Sequence, residues 1–336
     1  MSSRIRWLML LTIALVVVGG AGAYAVVSYI GYQDRQSAPS PVDVATATGD
    51  PDGPRIVFRN TAAGSGYGLV ASVALDDPNG ARAVSDRACD RVDQTEEATL
   101  CLRTNRGIVT TFEAVLFDRA GAELDSWPLP GVPSRTRISA DSTLVASTSF
   151  VTGMSYATVG FSTQTVIRSS GGRDFGNLED FATTIDGTRL QAADRNFWGV
   201  TFADDGNTFY ATAASGDSTW LVRGDLAARS LTSVRENAEC PSLSPDGLRI
   251  AYKKNVSTGA EAHWAVAILD LATGSETVLG EERSVDDQIE WLDDDTILYG
   301  LTGETPGDSD VWALGVDEGS TPRVFIPHAW SPAVIH

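Results

Sequence analysis

The sequence predicts an all-β protein: a six-bladed β-propeller with four-stranded blades, preceded by a single N-terminal transmembrane helix. Three observations predict it. Residues 7–30 contain no charged side chain. A tight-turn unit then recurs along the chain, with its tip at residues 52, 95, 141, 205, 246 and 294. Finally, residues 329–335 read as a strand of the kind that precedes those turns, which is the one strand the first unit lacks.

The apolar run comes first. A helix rises about 1.5 Å per residue, so residues 7–30 outreach a hydrocarbon core of about 30 Å. Arg4 and Arg6 precede the run, and the positive-inside bias keeps that end in the cytoplasm. Residues 1–6 are therefore expected as a cytoplasmic stub and residues 7–30 as a signal anchor in the cell membrane. The remainder is expected on the extracytoplasmic side. Ala21, Gly22, Ala23 and Ala25 supply the small residues of a cleavable signal peptide. The apolar core of such a peptide is only about 7–15 residues, however, so an uncleaved single-pass anchor is the expectation. Residues 31–50 are rich in Ser, Pro, Ala and Thr and read as a flexible tether.

The repeats settle the rest. In the clearest unit, Ser242-Leu243-Ser244-Pro245-Asp246-Gly247 leads into Leu248-Arg249-Ile250-Ala251-Tyr252. Pro245 pre-sets φ for a turn, Asp246-Gly247 is a strong hairpin pair, and apolar residues flank both. Asp52-Gly53, Asp205-Gly206, Asp141 and Asp294 sit in similar surroundings, and Thr95 marks a degenerate copy. The tips are 43, 46, 64, 41 and 48 residues apart. A four-stranded blade has a period of about 40–50 residues. The unit between Asp141 and Asp205 is therefore long by roughly 18 residues, expected as an inserted loop within residues 148–195. Third and fourth strands follow the hairpins, as at 265–270 and 276–279, and at 310–314 and 323–326. Trp330-Ser331-Pro332 matches Leu243-Ser244-Pro245, so the last strand is expected to complete the first blade and leave no open edge.

The motif from Ser244 to Tyr252 resembles the repeats of TolB-like propellers, and Asp270 to Gly274 resembles that family's turn between third and fourth strands. The resemblance covers residues 51–336. It implies the architecture and a bias toward protein binding. TolB carries a small α/β domain before its propeller; no such domain fits between helix and first repeat here, so TolB's own partners are not carried over.

Composition and motifs narrow the function. Lys and Arg number 25 against 44 Asp and Glu, a net charge of −19, which disfavours nucleic-acid binding. The three histidines, His263, His328 and His336, have no metal-ligand spacing. No nucleophile elbow and no phosphate loop is present. Acids cluster at Asp204-Asp205, Asp286-Asp287, Glu290 and 293–295, but turn aspartates that recur once per repeat are structural before they are catalytic. Cys89 and Cys101 flank the turn at residue 95 symmetrically, so they face each other across a hairpin and are expected to form a disulfide in an oxidising compartment. Cys240 holds the same repeat position with Tyr252 opposite, and reads as a lone buried thiol. The expectation is thus no catalytic, cofactor-binding or metal residue, no cofactor, and no enzyme. The chain reads as a scaffold that binds envelope proteins, with the membrane engaged through the helix and no nucleic acid. A small-molecule, sugar or cation module using the acidic mouth is the alternative.

Overall fold

The computed structural model describes residues 3–45, 53–107, 109–151, 162–259 and 261–336. Helix α1 (Ser3–Ser37) contains the apolar run. Its Leu10, Leu11, Val16, Val17 and Val18 are each about 60–70% exposed, so no protein surface covers them. A charge-free run of this length with nothing packed on it is suited to lipid.

Alternating apolar patterns and Gly or Asp turns then build the blades in chain order. Blade 1 has β1 (Arg55–Asn60), β2 (Leu69–Ala74) and β3 (Ala83–Ala88). Blade 2 has β4 (Arg91–Gln94), β5 (Ala98–Asn105), β6 (Thr111–Asp118) and β7 (Glu123–Leu129). Blade 3 has β8 (Gly131–Ile138), β9 (Leu144–Val151), β10 (Ser162–Ser169) and β11 (Asp174–Asn177). A 3₁₀ turn, Leu178–Asp180, and a hairpin of β12 (Ala182–Ile185) and β13 (Thr188–Arg189) follow. Blade 4 has β14 (Asn196–Phe202), β15 (Thr208–Ser215), β16 (Ser218–Asp225) and β17 (Ser230–Glu236). Blade 5 has β18 (Glu239–Leu243), β19 (Arg249–Asn255), β20 (Trp264–Asp270) and β21 (Glu276–Val278). Blade 6 has β22 (Glu290–Asp293), β23 (Thr296–Thr302), β24 (Ser309–Gly315) and β25 (Arg323–Ile326), and the final strand is β26 (Ala329–Ile335).

Each blade is an antiparallel sheet of four consecutive strands, except that β26 occupies the inner edge of blade 1, in the order β26-β1-β2-β3. The register runs from Arg55 opposite Ile335 to Asn60 opposite Ala329. The ring is thus closed by the last strand on the first, as the half-motifs at the two ends predict. The core lies between blades. Ile56 and Phe58 of blade 1 pack with Leu298, Val311 and Phe325 of blade 6. Similar apolar layers join blades 3 and 4 around Ile167, Phe197 and Phe209, and blades 5 and 6 around Val266, Trp291 and Tyr299.

The edge strands β4, β8, β14, β18, β22 and β26 meet around the axis. Five of them, all but β4, show a register shift against their neighbour. Such bulges add twist and let a strand bend round a narrow axis. Gly199 lies in the β14 bulge at φ +66°, and a Cβ there would stand 2.8 Å from Cα of Cys240. Gly199→Ala therefore combines a left-handed backbone with a backbone clash, and a loss of about 2–4 kcal/mol in urea unfolding is expected. A loss below about 0.5 kcal/mol would show that the bulge relaxes freely.

The long unit differs from expectation. Residues 152–161 lie outside the described residues. The rest of the excess is the β12–β13 hairpin, whose β12 pairs in parallel with β17 and widens the sheet of blade 4 to six strands. Its turn is Asp186-Gly187, with φ +47° and +78°. An Asp-Gly pair between short strands is the strongest local hairpin signal, and two positive φ values are what a two-residue hairpin turn requires.

Antiparallel order gives the ring two faces. Turns between first and second strands, and between third and fourth, lie on one, here the turn face. Links between second and third strands, and between blades, lie on the other, here the loop face. Residues 38–45, part of the stretch read as a flexible tether, run along blade 1. Val44 forms a parallel bridge with Arg82; Ala45 N donates to the Arg82 carbonyl (2.8 Å) and Arg82 N to the Asp43 carbonyl (2.9 Å).

Candidate functional site in the central channel

The inner strands carry more basic residues toward the axis than an acidic chain leads one to expect. Arg135 and Arg137 alternate on β8, so both point the same way. Arg137 reaches across the channel to blade 6, where it pairs with the Glu290 carboxylate and donates from Nη2 to the Ile289 carbonyl at 3.0 Å. Arg91 of β4 donates to Asp287 Oδ1 at 2.7 Å, and Asp287 Oδ2 accepts from Gly300 N at 3.0 Å. Lys253 Nζ donates to Asp286 at 2.5 Å and also lies 4.4 Å from the centre of the Trp264 ring. Arg135 stands 3.6 Å from Asp286. The axis is therefore filled by paired charges drawn from blades 2, 3, 5 and 6.

The order of groups along the inner strands divides the channel into two levels. Arg91, Arg135, Lys253, Asp286 and Asp287 lie toward the loop face. Asp93, Arg137 and Glu290 lie toward the turn face, where they floor a funnel of about 430 Å³. Phe202, Tyr210, Leu243, Trp291 and Val334 contribute its walls. Trp291 Nε1 donates to the Ser242 carbonyl (3.0 Å), which holds the ring in the wall.

Burial opposes ionisation of Asp286, but Lys253, Arg135 and Arg91 outweigh it and hold the carboxyl below its usual range. Asp93 goes the other way. Burial pushes its carboxyl up to about 7, Arg137 opposes the rise, and Glu290 adds to it. Asp93 Oδ2 accepts from Ile138 N (2.6 Å) and Oδ1 from Gln94 N (3.1 Å), tying blades 2 and 3 at the funnel floor. An acid with a raised folded pKa binds more protons folded than unfolded. Its contribution to stability is full below the unfolded value of 3.8 and is lost as pH rises through about 7. The stability of the wild type relative to Asp93→Asn should therefore fall between about pH 4 and pH 7 in parallel urea melts. A difference that stays flat across that window would place the Asp93 carboxyl at its ordinary value.

The turn residues occupy the rim. Gly53, Gly206 and Gly247 have φ of +82°, +67° and +70°, as their turns need. Asp52 lies outside the described residues. Asp141 Oδ1 accepts from Thr143 N (3.0 Å), Asp205 Oδ1 from Asn207 N (2.9 Å) and Asp246 Oδ1 from Leu248 N (2.9 Å). In blade 6 that local role falls to Asp293, which accepts from Asp295 N (2.9 Å). Asp294 instead accepts from Asp246 N (3.0 Å) and ties neighbouring turns together. Thr95 Oγ1 takes the place of a carboxylate in blade 2, accepting from Ala98 N at 3.2 Å, and touches Ser142 Oγ at 2.6 Å. These carboxylates stabilise turns, and Asp286, Asp287 and Glu290 are each engaged by Arg or Lys. Among the described residues no three His, Cys, Asp or Glu side chains converge to hold a metal.

Cys89 and Cys101 are joined by a disulfide with Cα atoms 5.4 Å apart, beside Val57 and Ile335 at the join of blades 1 and 2. Cys240 is free and buried. The bond closes a loop of 12 residues, and chain entropy for a loop of that size gives about 2–3 kcal/mol. Replacing both by Ser should lower stability by that amount, and reducing agent should then have no further effect on the melt. His328 Nδ1 pairs with Asp308 (2.8 Å) at the loop face, and His336 borders the funnel.

No family model matches the chain, and no curated protein matches it. Solved structures do. TolB from Acinetobacter baumannii superposes with a TM-score of 0.57 at 16% identity, covering 84% of this chain and 67% of that one. A chain of the nidogen/laminin complex gives a TM-score of 0.54 at 10% identity, covering 84% of this chain and 98% of that one. The TolB-like six-bladed architecture expected from the Ser-Pro-Asp-Gly units is present; at such identities the likeness extends to the fold alone. One expectation is corrected. The chain was expected not to be an enzyme, but solved structures of similar architecture include an oligogalacturonate lyase in complex with manganese. That likeness, at 9% identity, 76% of this chain, 73% of that one and a TM-score of 0.48, assigns no activity. A propeller fold by itself neither establishes nor excludes an activity.

Proposed function

We propose that the chain is a membrane-anchored protein-interaction module of the cell envelope, which receives a partner protein in the funnel on its turn face. Residues 1–6 stay in the cytoplasm, residues 7–30 cross the membrane, and residues 31–50 lead to the propeller at 51–336 on the extracytoplasmic side. The observation that carries this reading is the composition of the funnel. Aromatic and aliphatic walls surround a floor of paired charge, inside a rim of polar turns. Apolar walls inside a polar rim are features of a protein-binding surface, and the charges at the floor are already paired within the chain. The apolar helix and the disulfide support an exported, anchored domain.

Site-specific photo-cross-linking in intact cells tests it. A cross-linking residue at Asp205, on the funnel rim, should capture one reproducible envelope protein. The same residue at Ala227, on an outer turn of the same face, should not. Identical products from both positions, or none from Asp205, would end the reading. Stabilisation of the protein by a small ligand or by calcium, with no protein product, would transfer the funnel to the small-molecule class.

A further inference from the structure

The end of the helix is gripped by the propeller at one place. The Tyr32 ring meets the Tyr67 ring edge-on, centroids 5.9 Å apart. The Arg35 guanidinium lies 5.3 Å from the centre of the Tyr67 ring and donates from Nη1 to its hydroxyl at 2.7 Å. Gly64 N donates to the Arg35 carbonyl (2.7 Å), and the Tyr67 hydroxyl donates to the Gly307 carbonyl (3.2 Å). Beyond the helix, Asp43 to Ala45 pair with Arg82. Arg82 in turn holds Asn60 Oδ1 (2.5 Å) and the His328 carbonyl (2.8 Å) beside the closing strand. The grip thus uses backbone, ring and charge contacts from blades 1 and 6 together.

Among the described residues, every partner of Tyr32 and Arg35 outside the helix belongs to the loop face. Residues 61–68 link the second and third strands of blade 1, and residues 303–308 do the same in blade 6. Tyr32 and Arg35 lie two and five residues beyond the apolar run that ends at Ile30, which is about 3–8 Å along a helix. The lipid headgroups therefore begin within about a helical turn or two of Tyr67. The turn face lies at the far end of the strands, about 25 Å away for strands of seven or eight residues.

We infer that the Tyr32–Arg35–Tyr67 grip mounts the propeller with its loop face against the lipid headgroups and its funnel directed away from the membrane. The inference rests on the anchored reading above and adds the surface that a partner meets. A protein in the same membrane meets the loop face or the outer sides of the blades; a protein that enters the funnel approaches from the side away from the bilayer.

Energy transfer in proteoliposomes tests it with the full chain. Cys240 is buried and Cys89 and Cys101 are bonded, so a single introduced thiol is labelled selectively. Asp217→Cys marks the loop-face end of blade 4 and Asp205→Cys its turn-face end. With acceptor dye on the lipid headgroups, transfer from residue 217 should exceed transfer from residue 205 by roughly twofold for a separation of about 25 Å. Equal or reversed transfer, with the protein still floating with the vesicles after carbonate extraction, overturns the mounting and leaves the anchor standing. Release by carbonate removes the anchor and the mounting together. Adding Arg35→Ala and Tyr67→Ala should bring the two signals together while the far-ultraviolet spectrum is kept. A difference that survives both changes shows that the grip does not set the orientation.

Discussion

Removing residues 329–336 should abolish the cooperative unfolding transition of the full chain near the wild-type midpoint. Strand β26 fills the inner edge of blade 1 and buries Ala329, Ala333 and Ile335. It also covers Ile56 and Val57, which are fully buried beside it. Ser331 exchanges hydrogen bonds with Val92 of blade 2, accepting from its N at 3.3 Å and donating to its carbonyl at 3.2 Å. Trp330 lies under the Arg91 guanidinium, 4.9 Å from ring centre to Cζ. The lost ladder bonds cost about 1 kcal/mol each and the lost burial of Ile335 about 2 more. The unpaired edge of β1 then invites association. The total exceeds about 5 kcal/mol, which is comparable to the whole stability of many domains. Circular dichroism against urea reads the result directly. A midpoint within error of wild type would mean that blade 1 holds without its closing strand.

Glu290→Gln should be the most costly single change in the channel, at about 3–5 kcal/mol. Arg137 and Glu290 are about 12% and 14% exposed at their side chains, and they bridge blades 3 and 6 across the axis. Losing one partner leaves the other charge in a site already short of water, whereas replacing both with apolar residues of similar size can be nearly neutral. Asp93 tempers the loss in part, because without Glu290 its carboxyl ionises more readily and takes up some of the Arg137 charge. A double-mutant cycle of Arg137→Met and Glu290→Met in urea melts should give a coupling of about 2 kcal/mol or more. Additive losses would show that the two charges act independently.

Much of this architecture is legible in particular residues. Pro245, Asp246 and Gly247 announce a turn without help from the rest of the chain, and copies at a period near one blade announce the ring. The half-motifs at Asp52-Gly53 and Trp330-Ser331-Pro332 announce its closure. Asp186-Gly187 carried the same kind of signal; it belongs to no repeat, and only its pairing with β17 reveals where the hairpin goes. The docked strap at 38–45 left no sign, since Ser, Pro and Ala suit a loose linker and a strap equally well. Asp293 and Asp294 show the limit of register by pattern: three successive aspartates leave the capping position open by one residue.

By itself the sequence determined what depends on neighbours along the chain: an apolar helix long enough for a bilayer, turns that recur every blade, and strands that alternate between them. Only the tertiary structure decided which side chains fill the channel and which face the helix grips. Arg137 and Glu290 are 153 residues apart and Arg91 and Asp287 are 196 apart. A charge that far from its partner reads in sequence as a surface residue. It becomes part of a buried pair only when the ring closes and excludes water from the axis, because attraction between charges outweighs their hydration only where partner and geometry are both supplied by the fold.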